Sequence, residues 1–121
     1  KYVGEYDTTI AGHLFEVKTA CEDTNGAFQF NNVRTDYNYK FLFCLGIRPN
    51  GILFNVYRHE DVASMEEGEY ILDGCVNSVL PGHMTGMARA AANEDNFKLT
   101  KRPNELRRIE ELHVVFTSLF N

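Results

Sequence analysis

The stretch from Lys40 to Ile47, KFLFCLGI, is a nearly continuous apolar run of strand length, which breaks at Arg48-Pro49-Asn50-Gly51 and resumes as ILFNVYR. Pro followed closely by Gly is turn chemistry, so the two runs read as a hairpin. A strand that is apolar on both sides needs cover on both faces. That requirement places the first strand centrally in a layered sheet. A chain of 121 residues holds one such core. The expectation is a single α/β domain over 1–121 with a mixed central sheet flanked by helices.

A second hairpin precedes it. VGEYDTTIAGHLFEVKTA, residues 3–20, alternates apolar and polar on either side of Ala11-Gly12, the pattern of two strands and a tight turn. CEDTNGAFQFNNVRTDYN reads mostly as loop, with a short alternating piece at Phe28-Gln29-Phe30. His59 to Glu67 reads as a short helix ending at Gly68, and Glu69 to Cys75 as a further strand. Met84 to Ala92, rich in Ala and Met, reads as helical. Pro103 to Phe120 reads as a longer helix, with Leu106, Ile109, Leu112, Phe116 and Leu119 as its apolar stripe.

The net charge of −5 excludes nucleic-acid binding by bulk charge alone, since phosphate neutralisation needs clustered Lys and Arg. The basic residues are nevertheless uneven. Lys98, Lys101 and Arg102 bracket a segment suited to phosphate contact, whereas Arg107 and Arg108 suit the solvated side of the last helix. The three cysteines, Cys21, Cys44 and Cys75, fit neither a disulfide framework nor a zinc site, and the four histidines lack zinc-ligand spacing. All three thiols are expected reduced, with Cys44 in the core. No apolar run approaches membrane-spanning length and no signal core opens the sequence, which points to a soluble, cytoplasmic protein.

The first hairpin carries the chemistry. A two-residue turn at Ala11-Gly12, or a four-residue one over Ile10 to His13, opposes Asp7 to Glu16 and Glu5 to Lys18. One face then holds Glu5, Asp7, Thr9, Leu14, Glu16 and Lys18. The other, with Tyr6, Thr8, Ile10, His13, Phe15, Val17 and Thr19, is the better core face. Like charges directly opposed across strands repel, and a cation between Asp7 and Glu16 removes that cost. Two carboxylates, the Val17 main-chain carbonyl and waters suit Mg²⁺, a hard ion that takes oxygen ligands. A lysine beside such an ion can orient an attacking water or offset charge as a phosphodiester is hydrolysed. The residues also leave a second reading open: a solvated hairpin face on which Lys18 simply pairs with Glu5.

Asp7, eight intervening residues and then Glu16-Val17-Lys18, on a strand-turn-strand unit, resemble the PD-(D/E)xK nuclease superfamily and its restriction endonucleases. FQFNNVR followed by YKFLFCLGIRPNGILFNVYR is similar to the segment after the catalytic strand in small restriction enzymes, so that residues 3–60 carry the resemblance. Tyr6 stands where the family often has Pro. The helix that usually precedes the first core strand is missing from this sequence, and with it an acid that Glu5 could replace.

The resemblance implies a restriction endonuclease-like core, with Asp7 and Glu16 as metal ligands and Lys18 assisting the water. It further implies Mg²⁺ as cofactor, with Mn²⁺ able to substitute, and a homodimer cutting double-stranded DNA in the manner of a type II restriction endonuclease. A phage, repair or junction-cleaving nuclease of the same superfamily, and a catalytically silent α/β binding module, are the alternatives. Gln29 and Asn31, on the side of their extended segment opposite Phe28 and Phe30, are candidate contacts to base edges or phosphates. They stand with Lys98, Lys101 and Arg102 as candidate nucleic-acid contacts.

Overall fold

The computed structural model describes residues 8–63, 68–70, 74–75, 85–89 and 96–120. Strands β1 (Thr8–Ile10) and β2 (His13–Cys21) form the first hairpin, and β4 (Phe41–Arg48) and β5 (Gly51–Arg58) the second. β3 (Phe28–Arg34) lies between the hairpins in sequence. A short helix, α1 (His59–Ala63), follows β5, and then come β6 (Gly68–Tyr70), β7 (Thr85–Arg89) and β8 (Asn96–Lys101). A two-residue strand, β9 (Arg107–Arg108), and α2 (Leu112–Leu119) complete the order.

The strands form two sheets. One has five strands in the order β1-β2-β4-β5-β9, and the other four in the order β3-β8-β7-β6. The first is mixed, because β2 and β4 run parallel, Phe15 beside Phe41 through Cys21 beside Ile47, while its other ladders are antiparallel. β4 is central, as its apolar character requires.

Three layers result. Phe28, Phe30, Val33, Phe97 and Leu99 of the second sheet meet Leu42, Cys44, Leu53 and Tyr57 of the first. On the first sheet's other face, Phe15, Phe41, Phe54 and Val56 pack against Val115, Leu112, Phe116 and Leu119. Both faces of β4 are therefore covered. The fit is close at Gly46, where an added Cβ would stand 2.9 Å from the Phe28 ring.

The Ala11-Gly12 turn is the two-residue kind, with Thr8 opposite Phe15 and Ile10 opposite His13. Ala11 (φ 51) and Gly12 (φ 81) both take the left-handed region, the geometry that matches strand twist in a tight hairpin. A Cβ is disfavoured there by roughly 1–2 kcal/mol, and Asn tolerates it better. Ala11→Asn is thus expected to raise stability by about 0.5–1 kcal/mol, measured as a higher urea midpoint.

Several elements differ from the sequence reading. The segment read mostly as loop contains β3, whose register against β8 shifts between Phe30 and Val33. Asn32 (φ 57) absorbs the bulge, which local alternation alone does not reveal. Thr85–Arg89 is a strand rather than helix: pairing with β6 and β8 prevails over the helical preference of Met and Ala. The long helix over Pro103 to Phe120 is broken. Pro103–Glu105 and Ile109–Glu111 are 3-10 turns, Arg107 and Arg108 pair with Phe54 and Leu53 on the edge of β5, and only Leu112–Leu119 is α-helical. Its apolar stripe divides accordingly, Leu106 joining the inter-sheet core and the rest the α2 core. Flanking helices are thus short and few. Residues 64–67 of the expected α1 helix and 71–73 of the expected strand after it lie outside the described residues.

Candidate active site

β2 holds the site because both of its faces are committed. Phe15 fills the α2 core, and the alternate residues Glu16 and Lys18 turn toward the second sheet. Glu16 is only 6% exposed and its Oε2 lies 3.3 Å from Lys18 Nζ. Val17 stands between them on the opposite face. In the parallel ladder Glu16 is beside Leu42 and Lys18 beside Cys44, so this polar face of the hairpin borders an apolar interior. The expected oppositions of Asp7 to Glu16 and of Glu5 to Lys18 fall on Asp7 and Glu5, which lie outside the described residues. Among the described residues, the partner seen for Lys18 is Glu16.

Magnesium requires oxygen donors, and Glu16 supplies a carboxylate of the right chemistry. No group of three His, Cys, Asp or Glu able to hold a metal occurs among the described residues. The expected set of Asp7, Glu16 and the Val17 carbonyl is oxygen throughout, which suits Mg²⁺ better than zinc.

The segment leading into β4 is fixed beside Glu16. Arg34 holds Asp36 by two bonds of 3.0 and 2.7 Å and stacks on Tyr37, 4.6 Å from its centroid. The Tyr39 hydroxyl donates to the Arg34 carbonyl at 2.6 Å, and His59 Nε2 donates to the Thr35 carbonyl at 2.8 Å. The Tyr39 and His59 rings meet edge to face at 4.7 Å. Burial, and then the Glu16 carboxylate, hold the Tyr39 phenol well above its ordinary pKa. Next to Tyr39 lies a cavity of about 230 Å³ lined also by Lys40, Arg58, His59 and Glu60.

Burial pushes the Cys44 thiol up to about 12, partly offset by Lys101 and Lys18. It raises the Tyr57 phenol as well. Unfolding would return Cys44 toward its ordinary 9.0. Above that pH the unfolded chain binds fewer protons than the folded one, so stability falls as pH rises toward 12. The slope is up to roughly 1.4 kcal/mol per pH unit for each such group, and thermal melts at pH 7.5 and 10.5 measure it.

The other candidate residues are dispersed. Gln29 and Asn31 are exposed while Phe28 and Phe30 are buried, as the alternation predicts. Gln29 opposes Thr100 on the outer surface of the second sheet, where Lys98 is also exposed, and Arg102 is exposed just beyond β8. Lys101 differs from the reading: its side chain is 2% exposed, ion-paired to Glu105 at 3.5 Å and 5.0 Å from the Tyr57 ring centroid. Strand alternation turns it inward beside Leu99, so it is not an open phosphate contact. Arg107 and Arg108 are not the solvated side of a helix but bond or pair with Glu111 and Glu110 around β9. Tyr39, Lys40, Arg58 and His59, which line that cavity, carry no signal in the sequence beyond their place at the ends of the second hairpin.

No described helix is long and apolar enough to cross a membrane. No protein-family model, curated protein or solved structure matches the chain.

Proposed function

We propose that this chain is a Mg²⁺-dependent endonuclease with a restriction endonuclease-like core, acting on double-stranded DNA as a homodimer in the manner of a type II restriction enzyme. The observation that carries the reading is the Glu16–Lys18 pair: a nearly buried carboxylate and an ammonium 3.3 Å apart on one face of β2, beside a two-residue hairpin turn. A buried charge pair is costly unless well compensated, and a site for charged substrate and cation supplies a reason for placing one here.

In this reading Asp7 and Glu16 hold the ion, with the Val17 carbonyl as a further ligand, and Lys18 offsets charge on the phosphoryl group. The bound ion supplies an acidified water and polarises the phosphoryl oxygen. Gln29, Asn31, Lys98 and Arg102 are candidate contacts to the duplex from the outer face of the second sheet.

Supercoiled plasmid incubated with the purified protein in Mg²⁺ is expected to be cut, Mn²⁺ is expected to substitute, and EDTA to abolish cutting. Discrete bands would indicate sequence recognition. Intact plasmid under every metal condition, together with no heat of Mg²⁺ binding by calorimetry, would instead favour a catalytically silent binding module.

A further inference from the structure

The turn end of the second hairpin carries a cavity that the candidate active site does not use. It is about 280 Å³ in volume, with Arg48, Asn50, Gly51, Leu53, Arg108 and Glu110 on its wall. The ladders bring the two arginines to one side of the first sheet. Arg108 stands opposite Leu53 in the β5–β9 pairing, and Leu53 packs toward the second sheet. Arg48 lies two residues beyond Gly46, where a Cβ would strike the Phe28 ring of that sheet, so alternation gives Arg48 the same side. Gly51, opposite Arg48 on the strand between, contributes no side chain, and a Cβ built there would meet nothing within 4 Å. Two guanidiniums thus border a space kept open by a glycine.

Arg48 is half-buried, and its Nε is shut off from solvent without an acceptor. It forms no hydrogen bond or ion pair with the described residues. Glu22 shares a neighbouring cavity with it, but no ion pair joins the two. Withdrawing a guanidinium from water without an acceptor is costly, and native structures seldom leave such a group uncompensated. Arg108 does have a carboxylate, with Glu110 Oε1 3.5 Å from its Nε, but the two side chains are 76% and 69% exposed. So exposed a pair contributes little and gives way to a stronger acceptor.

From this arrangement we infer that the cavity is a phosphate-binding site, taking the dianion of inorganic phosphate or of a phosphate monoester. Each guanidinium presents a planar fork to two oxygens of such a group. A tetrahedral phosphate has oxygens enough for both forks, and its two negative charges match two cations, whereas a carboxylate would satisfy one fork only. Bound phosphate neutralises Arg48 and replaces Glu110 at Arg108. The Asn50 side chain adds an amide donor on the same wall. The site is independent of the Glu16–Lys18 pair and of any metal.

Inorganic phosphate titrated into the protein at constant ionic strength is expected to shift the backbone amide resonances of Asn50, Gly51 and Arg108 saturably, with a dissociation constant on the order of millimolar. Sulfate, of the same shape, should compete, and chloride should not. Arg48→Ala is expected to weaken binding at least about tenfold. Arg48→Lys, which keeps the charge but not the fork, should weaken it about threefold. Glu110→Gln should act in the opposite direction and tighten binding about twofold, because it removes the competing acceptor. Arg58→Ala, at the far end of β5, should leave the affinity unchanged. No saturable shift at Gly51, or equal affinity in the parent protein, Arg48→Lys and Glu110→Gln, would overturn the site. A nucleoside monophosphate that gives the same shifts, lost in Arg48→Ala, would support the monoester as ligand. The same shifts from a duplex without terminal phosphates, and none from inorganic phosphate, would overturn that assignment in favour of a DNA backbone contact. None of these readouts depends on plasmid cleavage, so failure here leaves the nuclease reading untouched.

Discussion

Lys101→Ala is expected to lower stability by about 3–5 kcal/mol, because removing one member of a buried ion pair leaves the other uncompensated. Glu105, 7% exposed, would keep, among the described residues, the Arg102 amide, which donates to its Oε1 at 2.8 Å. The ammonium contact with the Tyr57 ring would be lost as well, a contribution of about 2 kcal/mol when desolvated. Urea denaturation measures the change as a lower midpoint. Lys101→Met combined with Glu105→Gln should recover most of the loss, since no unpaired charge then remains. Lys98→Ala, three residues away but exposed, should stay within about 0.5 kcal/mol of the parent. A midpoint for Lys101→Ala equal to that of Lys98→Ala would show that the pair contributes nothing.

Loss of cleavage by Glu16→Gln and Lys18→Ala is the second large effect. Glutamine keeps an acceptor for Lys18 but removes the charge a cation needs, and alanine removes the ammonium. Each variant is expected to cut plasmid at least about 10²–10³-fold more slowly in Mg²⁺, the scale on which removing one charge-stabilising group usually acts. Asp7→Asn should behave likewise. Urea midpoints separate this from a purely structural role: an ion pair that only supports the fold would lower the midpoint of Lys18→Ala while leaving the specific activity of the folded fraction unchanged. Wild-type rates in both Asp7→Asn and Lys18→Ala would remove the proposed site.

The parts legible in the sequence are those set by neighbours along the chain. Ala11-Gly12 and Pro49-Asn50-Gly51 mark turns, and alternation around them defines four strands with the register that brings Glu16 and Lys18 to one face. The parallel pairing of β2 with β4 was not legible, because it depends on where the intervening β3 goes. NFKLTK does alternate, but Lys101 occupies the inward position expected for an apolar residue, and its partner Glu105 is recognisable only once the chain has turned. Thr85–Arg89 reads as helix from its own residues for a related reason, since its strand character comes from β6 and β8. Lys40 and Arg58 come together because the β4–β5 ladder brings the two ends of the second hairpin side by side.

The crossing of β3 between the sheets bears on the order in which the molecule is completed. β2 and β4 flank β3 in sequence, yet β3 joins β8, Phe28 opposite Lys101, near the other end of the chain. Pairings between distant segments are slow to form because loop closure precedes any reward, and folds rich in them take about milliseconds to seconds. During synthesis, the strand bearing Glu16 and Lys18 emerges before β8 and gains its full facing wall only when Phe97 and Leu99 arrive. Such a chain would complete the wall facing its charged pair only after β8 has followed β2 out of the ribosome.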